Sequence, residues 1–467
     1  MILAPAKNES AGIAARKAAL EILFRVNHKG AYADALLGSR LPEFELNDRR
    51  LITLMVLGTV AWRGQLDFEI ERLASRPLGK IDTHVLEILR LALFQLRHLD
   101  RVPPHAVVDT AVTIANSERS TRDASGFVNA VLRKATRQGP ALFTIANDEA
   151  GSLALKYSHP RWMAERFIAI FGRSDAETLL AADNEAAPTA IRLNLARAPR
   201  EEILARIRSD GLEISGEGRF PETLILKGSP HLEAESFREG LFHVQSEASQ
   251  IIARMLAPVP GATVVDCSAA PGGKATHLAE IVGGPNPQPL PLREGVSERG
   301  RVIALDLNLA GLRATRSVAQ RLAHTNLLFA RADVAKAVPL RPATFDYVLL
   351  DAPCTGSGTL RQHPEIRWRL KPTDPARMAV LQLAMLRNAA ALLRPGGAIV
   401  YSVCSLMPEE GQEVVAQLLA GNPHYAIDGH PPAHEQIGEL LRADGTLLTR
   451  PDSSRLDGFF AARMVRR

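Results

Sequence analysis

Cysteine is scarce. The 467 residues hold three, Cys267, Cys354 and Cys404. No two stand at CxxC spacing, so a structural zinc site is not expected, and no other metal site is assigned. Three cysteines in so long a chain are also too few for a disulfide framework and fit reduced thiols in a cytoplasmic setting. Long apolar runs are missing too. Stretches such as Leu54 to Trp62 fall far short of the ~20 residues that span a bilayer, and Met1 to Ser10 carries no apolar core of signal-peptide length. No internal repeat is visible. Charge of one sign is in only slight excess, with a formal net of +5, which alone is weak evidence for a polyanionic partner.

What is present is ordinary for a globular chain: 46% hydrophobic and 23% charged residues, enough apolar material for several cores. At about 100–200 residues each, two to four domains are expected. Basic residues cluster twice. Arg119, Arg122, Arg133, Lys134 and Arg137 gather in one stretch, opposed by Glu118 and Asp123. Arg361, Arg367, Arg369 and Lys371 form the second. Each cluster is either a polyanion-binding face or a solvated one.

From 10 to 140, apolar positions recur at three and four, as in Ala18, Ile22, Leu23 and Val26 and from Ile81 through Val85, Leu86, Leu89, Leu93 and Leu96. That period predicts an all-α domain. Pro103-Pro104 breaks the run, a new helix begins near His105, and Gly139-Pro140 ends it. Residues 141–259 read as a connector and a small α+β unit, with helices over Pro160–Phe171, Glu201–Ile207 and Ser246–Leu256 and strands over Ala190–Leu195 and Thr223–Leu226. From 260 to 467, short apolar strands alternate with helical stretches: Ala262–Cys267, Arg301–Asp306, Leu327–Ala330, Tyr347–Asp351 and Ala398–Ser402. This is the order of a doubly wound, Rossmann-like α/β sheet. Gly283–Gly300, with Pro285, Pro287, Pro289 and Pro291, interrupts it as an extended surface insertion.

Asp266–Lys274 reads DCSAAPGGK, between the first of these strands and a helix beginning near Lys274. Gly272-Gly273 admits a ligand close to the backbone, and the helix N-terminus offers N–H groups to a carboxylate. The loop has neither GxGxxG nor GxxxxGK[ST] spacing, and a tight structural turn remains an alternative. Asp306 ends the second strand, where an acidic residue can bind ribose hydroxyls. It lies 40 residues past Asp266, or 22 once the 18 residues 283–300 are looped out, close to the ~20 that this geometry asks. A strand-end carboxylate that caps a helix is the alternative. Asp333, after the third strand, is placed for an adenine amino group, with the same capping role as its alternative.

Asp351–Thr355 reads DAPCT at the end of the fourth strand, and Cys404 lies in YSVCS at the end of the fifth. The sheet's carboxyl edge is where such folds bind ligands, so the two thiols are expected to face one pocket. Carbon 5 of cytosine is a poor nucleophile. A thiolate adding to carbon 6 converts the ring to an enamine whose carbon 5 attacks a sulfonium methyl group, and a base must then remove the carbon-5 proton so that the thiol can leave. One cysteine attacks and one assists release, while Asp351 hydrogen-bonds the ring near N3 and N4. Two buried structural cysteines are the alternative. The tract His363-Pro364-Glu365 through Lys371, basic and bearing Trp368, suits stacking and phosphate contacts to single-stranded RNA; an ordinary loop salt-bridged through Glu365 is its alternative.

At these residues the chain resembles the bacterial small-subunit ribosomal RNA cytosine-5 methyltransferases of the RsmB (Sun or Fmu) type. SAAPGGK, VIALD, DAPCTGSG, RQHPEIRW and YSVCSLMPEE carry the resemblance, and DRRLITLMVLGTVAWR, LRLALFQL, DRVPPHAVVDTAV and GFVNAVLRK resemble the NusB-like RNA-binding domain fused to that subgroup. The resemblance implies a NusB-like domain over 10–140, a connector and RNA-binding subdomain over 141–259, and a methyltransferase domain over 260–467. It implies S-adenosylmethionine as cofactor, bound by Ser268, Ala269, Ala270, Pro271, Gly272, Gly273, Lys274, Asp306, Asp333 and Asp351. It makes Cys404 the nucleophile and Cys354 the cysteine that assists release. The implied partner is 16S ribosomal RNA, free or in a partly assembled small subunit, met by a cytoplasmic monomer without membrane attachment. Val403 stands where the family usually has Thr, Ser268 where it often has Cys, and the Gly283–Gly300 insertion is atypical. Two competing readings are a non-catalytic, antitermination-like RNA-binding factor and a methyltransferase of the same fold acting on a small molecule or protein.

Overall fold

The computed structural model describes residues 11–141, 143–228, 232–284 and 300–467. Met1–Ser10 and most of the proline-rich stretch, 285–299, therefore lie outside the described residues. Two compact units emerge, Met1–Ala186 with Leu360–Pro372, and Ala187–Thr359 with Thr373–Arg467.

The first unit is helical. Its central helix, Thr83–His98, is buried continuously from Val85 to Gln95, because its neighbours pack around it on every side. Asp82 starts it by accepting the His84 and Val85 N–H groups, the side-chain cap that a helix N-terminus needs. The charged groups on this helix are paired: Arg90 reaches Asp67 at 2.6 and 2.7 Å and Glu87 at 2.5 Å. Pro104 opens the next helix, Pro104–Ser117, where a missing N–H costs nothing. Gly58 is required where it stands, since a Cβ would lie 2.0 Å from the Phe94 ring. Of the first basic cluster, Arg119, Arg122, Arg133 and Arg137 are exposed, and Lys134 donates to the Leu73 carbonyl at 2.9 Å. No helix among the described residues is long and apolar enough to cross a membrane.

The second basic tract departs from its expectation. Composition assigns it to stacking and phosphate contact; the structure commits its central side chains to the helical unit. Arg367 is fully buried and donates to Asn184 Oδ1 at 2.8 Å and to the Asp183 and Ser158 carbonyls at 3.0 and 3.2 Å. Trp368 Nε1 donates to the Val60 carbonyl at 2.7 Å, and Arg369 to the Val26 and Ala31 carbonyls. Glu365 accepts the Ala33 N–H at 3.0 Å. A fully buried guanidinium held by acceptors of its own unit is out of reach of a phosphate group.

The second unit holds two sheets. The smaller contains β1 (Thr189–Leu193), β2 (Ile214–Glu217), β3 (Thr223–Leu226) and β4 (Phe242–Val244), in the antiparallel order β2-β3-β1-β4. The larger contains β5 (Thr263–Asp266), β6 (Arg301–Asp306), β7 (Leu327–Arg331), β8 (Phe345–Asp351), β9 (Leu393–Val403), β10 (Tyr425–Ile427), β11 (Leu447–Thr449) and β12 (Phe459–Arg466). Its order is β10-β12-β9-β8-β5-β6-β7, with β11 beside β12. The run from β9 to β7 is parallel, as the sequence pattern requires. The antiparallel additions β10, β11 and β12 were not among the expected strands.

Side chains alternate across the parallel sheet. Val264, Val302 and Val400 join one core, with Ile251, Leu278 and Ala319 from the helices Glu247–Leu256, Gly273–Gly283 and Leu309–Arg321. Val265, Leu350 and Ile399 join the other, with Leu386 and Val415 from Asp374–Leu392 and Gln412–Gly421. Both faces are covered, so the strands read as continuous apolar runs. The small sheet is tied to the large one by Arg192 on β1, fully buried, which donates to Glu280 at 2.8 Å, Thr276 Oγ1 at 3.0 Å and the Gly273 carbonyl at 2.7 Å.

Candidate active site

The carboxyl edge of the parallel sheet gathers most of the residues singled out by sequence. Asp266, Asp306 and Asp351 end β5, β6 and β8, and Cys404 follows β9 directly.

The glycine-rich loop is fixed by its neighbours. The Cys267 N–H donates to the Leu349 carbonyl at 2.8 Å, Ala269 to Leu305 at 2.9 Å, and Ser268 to Asp266 Oδ1 at 3.1 Å. Gly272 has φ +115°, and a Cβ there would sit 3.0 Å from the Thr315 Cα, so only glycine suits the turn. The helix Gly273–Gly283 starts without any side-chain cap. Its first N–H groups thus stand as a site for a carboxylate, which fits the amino-acid end of a nucleoside such as S-adenosylmethionine. The Arg192 bond to Gly273 anchors that helix start from the small sheet, a support that no motif signalled.

Asp306 takes the Ala270 N–H on Oδ2 at 3.0 Å and the Asn308 N–H on Oδ1 at 2.8 Å. The cap of the following helix is Asn308, which accepts from Ala310 and Gly311. Asp306 is therefore not the helix cap, and its remaining lone pairs suit a diol. Asp333 is held in its own turn, accepting the Ala335 N–H at 3.1 Å and lying 3.3 Å from Lys336 Nζ.

The parallel register of β8 and β9 sets Asp351 opposite Ser402, and their side chains meet: Ser402 Oγ donates to Asp351 Oδ1 at 2.7 Å. Lys274 Nζ approaches the other oxygen at 2.7 Å. Sequence reasoning placed Lys274 only in the cofactor loop and missed both this pair and Ser402. Paired with an ammonium group, the Asp351 carboxylate acts as an acceptor, suited to an exocyclic N4–H.

The same register carries the chain from Asp351 to Cys354 beside Cys404. Their sulfurs are 3.2 Å apart, both half-buried. The hydrogen bond with Cys404, burial, and the negative charge of Cys404 and Glu410 push the Cys354 thiol well above its ordinary range. The third cysteine, Cys267, is fully buried, and burial raises its thiol far beyond the physiological range, so it is no thiolate. Val403 is fully buried in the apolar core, where a methyl group packs and a hydroxyl would need a partner. In the first unit, Asp34, His363 and Glu365 bring one ligand atom each within 4.8 Å of one another, with Asp34 exposed.

Asp266 has one carboxylate oxygen buried without a partner. Burial, with Asp351 adding to it, pushes its carboxyl up to about 7. A folded-state value above the unfolded one, about 4, means the folded protein holds the proton longer. Its stabilising contribution is complete below pH 4 and is lost as pH rises towards 7, at about 1.4 kcal/mol per pH unit. The Asp266→Asn variant is expected to flatten that part of the slope. Urea-unfolding midpoints at pH 5, 6 and 7 that fall equally in variant and parent would refute this.

Three family models match parts of the chain. Residues 253–465 match the family model for 16S rRNA methyltransferase RsmB/F, residues 13–137 the NusB family, and residues 159–233 the ferredoxin-like domain of RsmF/B-like methyltransferases. A "probable ribosomal RNA small subunit methyltransferase B" of Bacillus subtilis is 32% identical, covering 96% of this chain and 98% of its own. A "ribosomal RNA small subunit methyltransferase B" of Xylella fastidiosa is also 32% identical, covering 98% and 99%. The solved structure of a methyltransferase homologue from Pyrococcus horikoshii is 26% identical with a TM-score of 0.55, covering 69% of this chain and 100% of its own.

Proposed function

Because the chain belongs to the 16S rRNA methyltransferase RsmB/F family and is thus an S-adenosylmethionine-dependent methyltransferase, we propose that it methylates carbon 5 of a cytosine in 16S ribosomal RNA through a covalent cysteine–C6 adduct. The observation that carries this reading is the pair of thiols 3.2 Å apart, following the paired strand ends that carry Asp351 and Ser402. Family membership removes the non-catalytic alternative, since the family is one of enzymes. A small-molecule or protein substrate gives no use for a second thiol against the first.

When bound, S-adenosylmethionine supplies the electrophilic methyl group. The uncapped start of the helix at Gly273, the Ser268–Lys274 loop, Asp306 and Asp333 are the residues assigned to hold it, with Asp351 at the border of cofactor and base. Asp351, steadied by Lys274 and Ser402, accepts the N4–H of the cytosine. The Cys404 thiolate forms the S–C6 bond, and the displaced ring electrons make carbon 5 nucleophilic. Release then requires loss of the carbon-5 proton to a base and return of the S–C6 electron pair to Cys404.

The thiol contact supports that division of roles. Two thiols in contact cannot both ionise readily, and the causes that raise Cys354 begin with Cys404 itself. While Cys404 is a thiolate, Cys354 stays protonated. Once Cys404 is tied up as a thioether, its charge and hydrogen bond are gone. Cys354 then ionises more easily and can take the carbon-5 proton.

The protein works in this reading as a monomer in the cytoplasm, in three parts: a helical RNA-binding domain over 10–140, a connector and subdomain over 141–259, and the catalytic domain over 260–467. Its partner is 16S RNA, free or in a partly assembled small subunit. Bisulfite sequencing of ribosomal RNA from a deletion strain is expected to show one 5-methylcytosine missing from 16S RNA, restored by the intact gene. An unchanged pattern would overturn the reading.

A further inference from the structure

One carboxylate joins the two cysteine loops. Glu410 is fully buried. Its Oε1 accepts the Thr355 N–H at 2.8 Å and Gln382 Nε2 at 3.0 Å, and its Oε2 accepts the Thr355 and Ser405 hydroxyls. Its own carbonyl accepts the Tyr401 hydroxyl. Thr355 follows Cys354, and Ser405 follows Cys404. The Ser405 hydroxyl also meets Ser357 at 3.0 Å, which in turn accepts the Leu406 N–H.

Burying a carboxylate among neutral donors is costly, so such a group contributes little to stability relative to an apolar replacement. A buried carboxylate whose two oxygens each take two donors instead fixes one geometry. The two loops depend on it unequally. Cys404 continues directly from β9, which is paired on both sides, with β8 and β12, and its carbonyl accepts the Gly358 N–H at 3.0 Å. Cys354 lies past the last ladder bond of β8, from the Ala352 N–H to the Ser402 carbonyl. Beyond it, Glu410 holds Thr355 by both its N–H and its hydroxyl.

We propose that Glu410 is the positioning residue that keeps Cys354 against Cys404 and thereby sets the rate at which the covalent RNA adduct is released. The inference rests on the two-cysteine reading above. Without Glu410, Cys404 still attacks, but Cys354 drifts from the carbon-5 proton. A misplacement of about 1 Å slows such a step on the order of 100-fold.

The test follows adduct on denaturing gels after mixing full-length enzyme, S-adenosylmethionine and a 16S RNA fragment, with Cys354→Ala as reference. Glu410→Ala is expected to form adduct as fast as the parent and to resolve it about 100-fold more slowly, with unchanged cofactor affinity. Glu410→Gln keeps the shape and an acceptor for the Thr355 N–H, while its amide donates to hydroxyls free to turn. It is expected to restore release. Thr355→Val, which keeps the side-chain volume but loses one tie, should accumulate adduct to a lesser degree and serves if Glu410→Ala does not fold. Adduct in Cys354→Ala but none in Glu410→Ala or Thr355→Val would sink this inference alone. Equal accumulation in Glu410→Gln and Glu410→Ala would also sink it, since shape would then not matter. Absence of adduct in Cys354→Ala would sink the two-cysteine reading and this inference with it.

Discussion

Cys404→Ala is expected to abolish methyl transfer to small-subunit ribosomal RNA while leaving S-adenosylmethionine binding intact. The thiolate is the one group proposed to raise the electron density at carbon 5, and nothing else at the sheet edge replaces it. Cys354 is the nearest sulfur, but its thiol is pushed well above the ordinary range and its proposed place is at the carbon-5 proton. Loss of a covalent nucleophile costs on the order of 10⁴-fold or more, so the variant should fall below detection. Cofactor affinity should hold, because Cys404 is not among the residues assigned to the cofactor and its loop is fixed by the β9–β12 ladder whether or not the sulfur is present. Labelled methyl incorporation into 16S RNA and calorimetric titration with the cofactor decide the matter. Appreciable turnover would remove Cys404 from its role.

Cys354→Ala has the opposite signature. Attack proceeds, because Cys404 keeps its sulfur and its place at the end of β9, but release stalls and the enzyme stays bonded to its RNA. A slow-migrating protein–RNA species should accumulate on a denaturing gel, and Cys354→Ala combined with Cys404→Ala should show none. If the single variant turned over without such a species, another group would have to be the releasing base. The two variants together separate attack from release, which activity alone cannot do.

How much of this was legible depended on whether the deciding partner was near in sequence. The parallel strands were, because each is a short apolar run between turn residues: Arg301–Asp306 and Phe345–Asp351 lie within two residues of their expected ends. β12 was not. Its residues Phe459 to Met464 are all buried, Arg463 among them, so neither alternation nor polarity marks it as a strand. Its identity comes from pairing with β9, about sixty residues away. Arg367 and Trp368 misled for a related reason. A basic, aromatic tract reads alike whether its donors meet phosphate or protein, and carbonyls that they meet belong to Val60, Ser158 and Asp183.

The sequence by itself determined the fold class, the glycine-rich loop, the strand-end acids and the candidacy of two cysteines, because each follows from a local pattern of turn, strand and residue chemistry. Only the tertiary structure decided that the sulfurs touch, that Lys274 and Ser402 hold the Asp351 carboxylate between them, that Asn308 rather than Asp306 caps its helix, and that Glu410 binds both cysteine loops. Those facts depend on the register between β8 and β9 and on the packing around it. A register one residue off would turn Asp351 to the opposite face of the sheet, and no local pattern records which register the folded chain adopts.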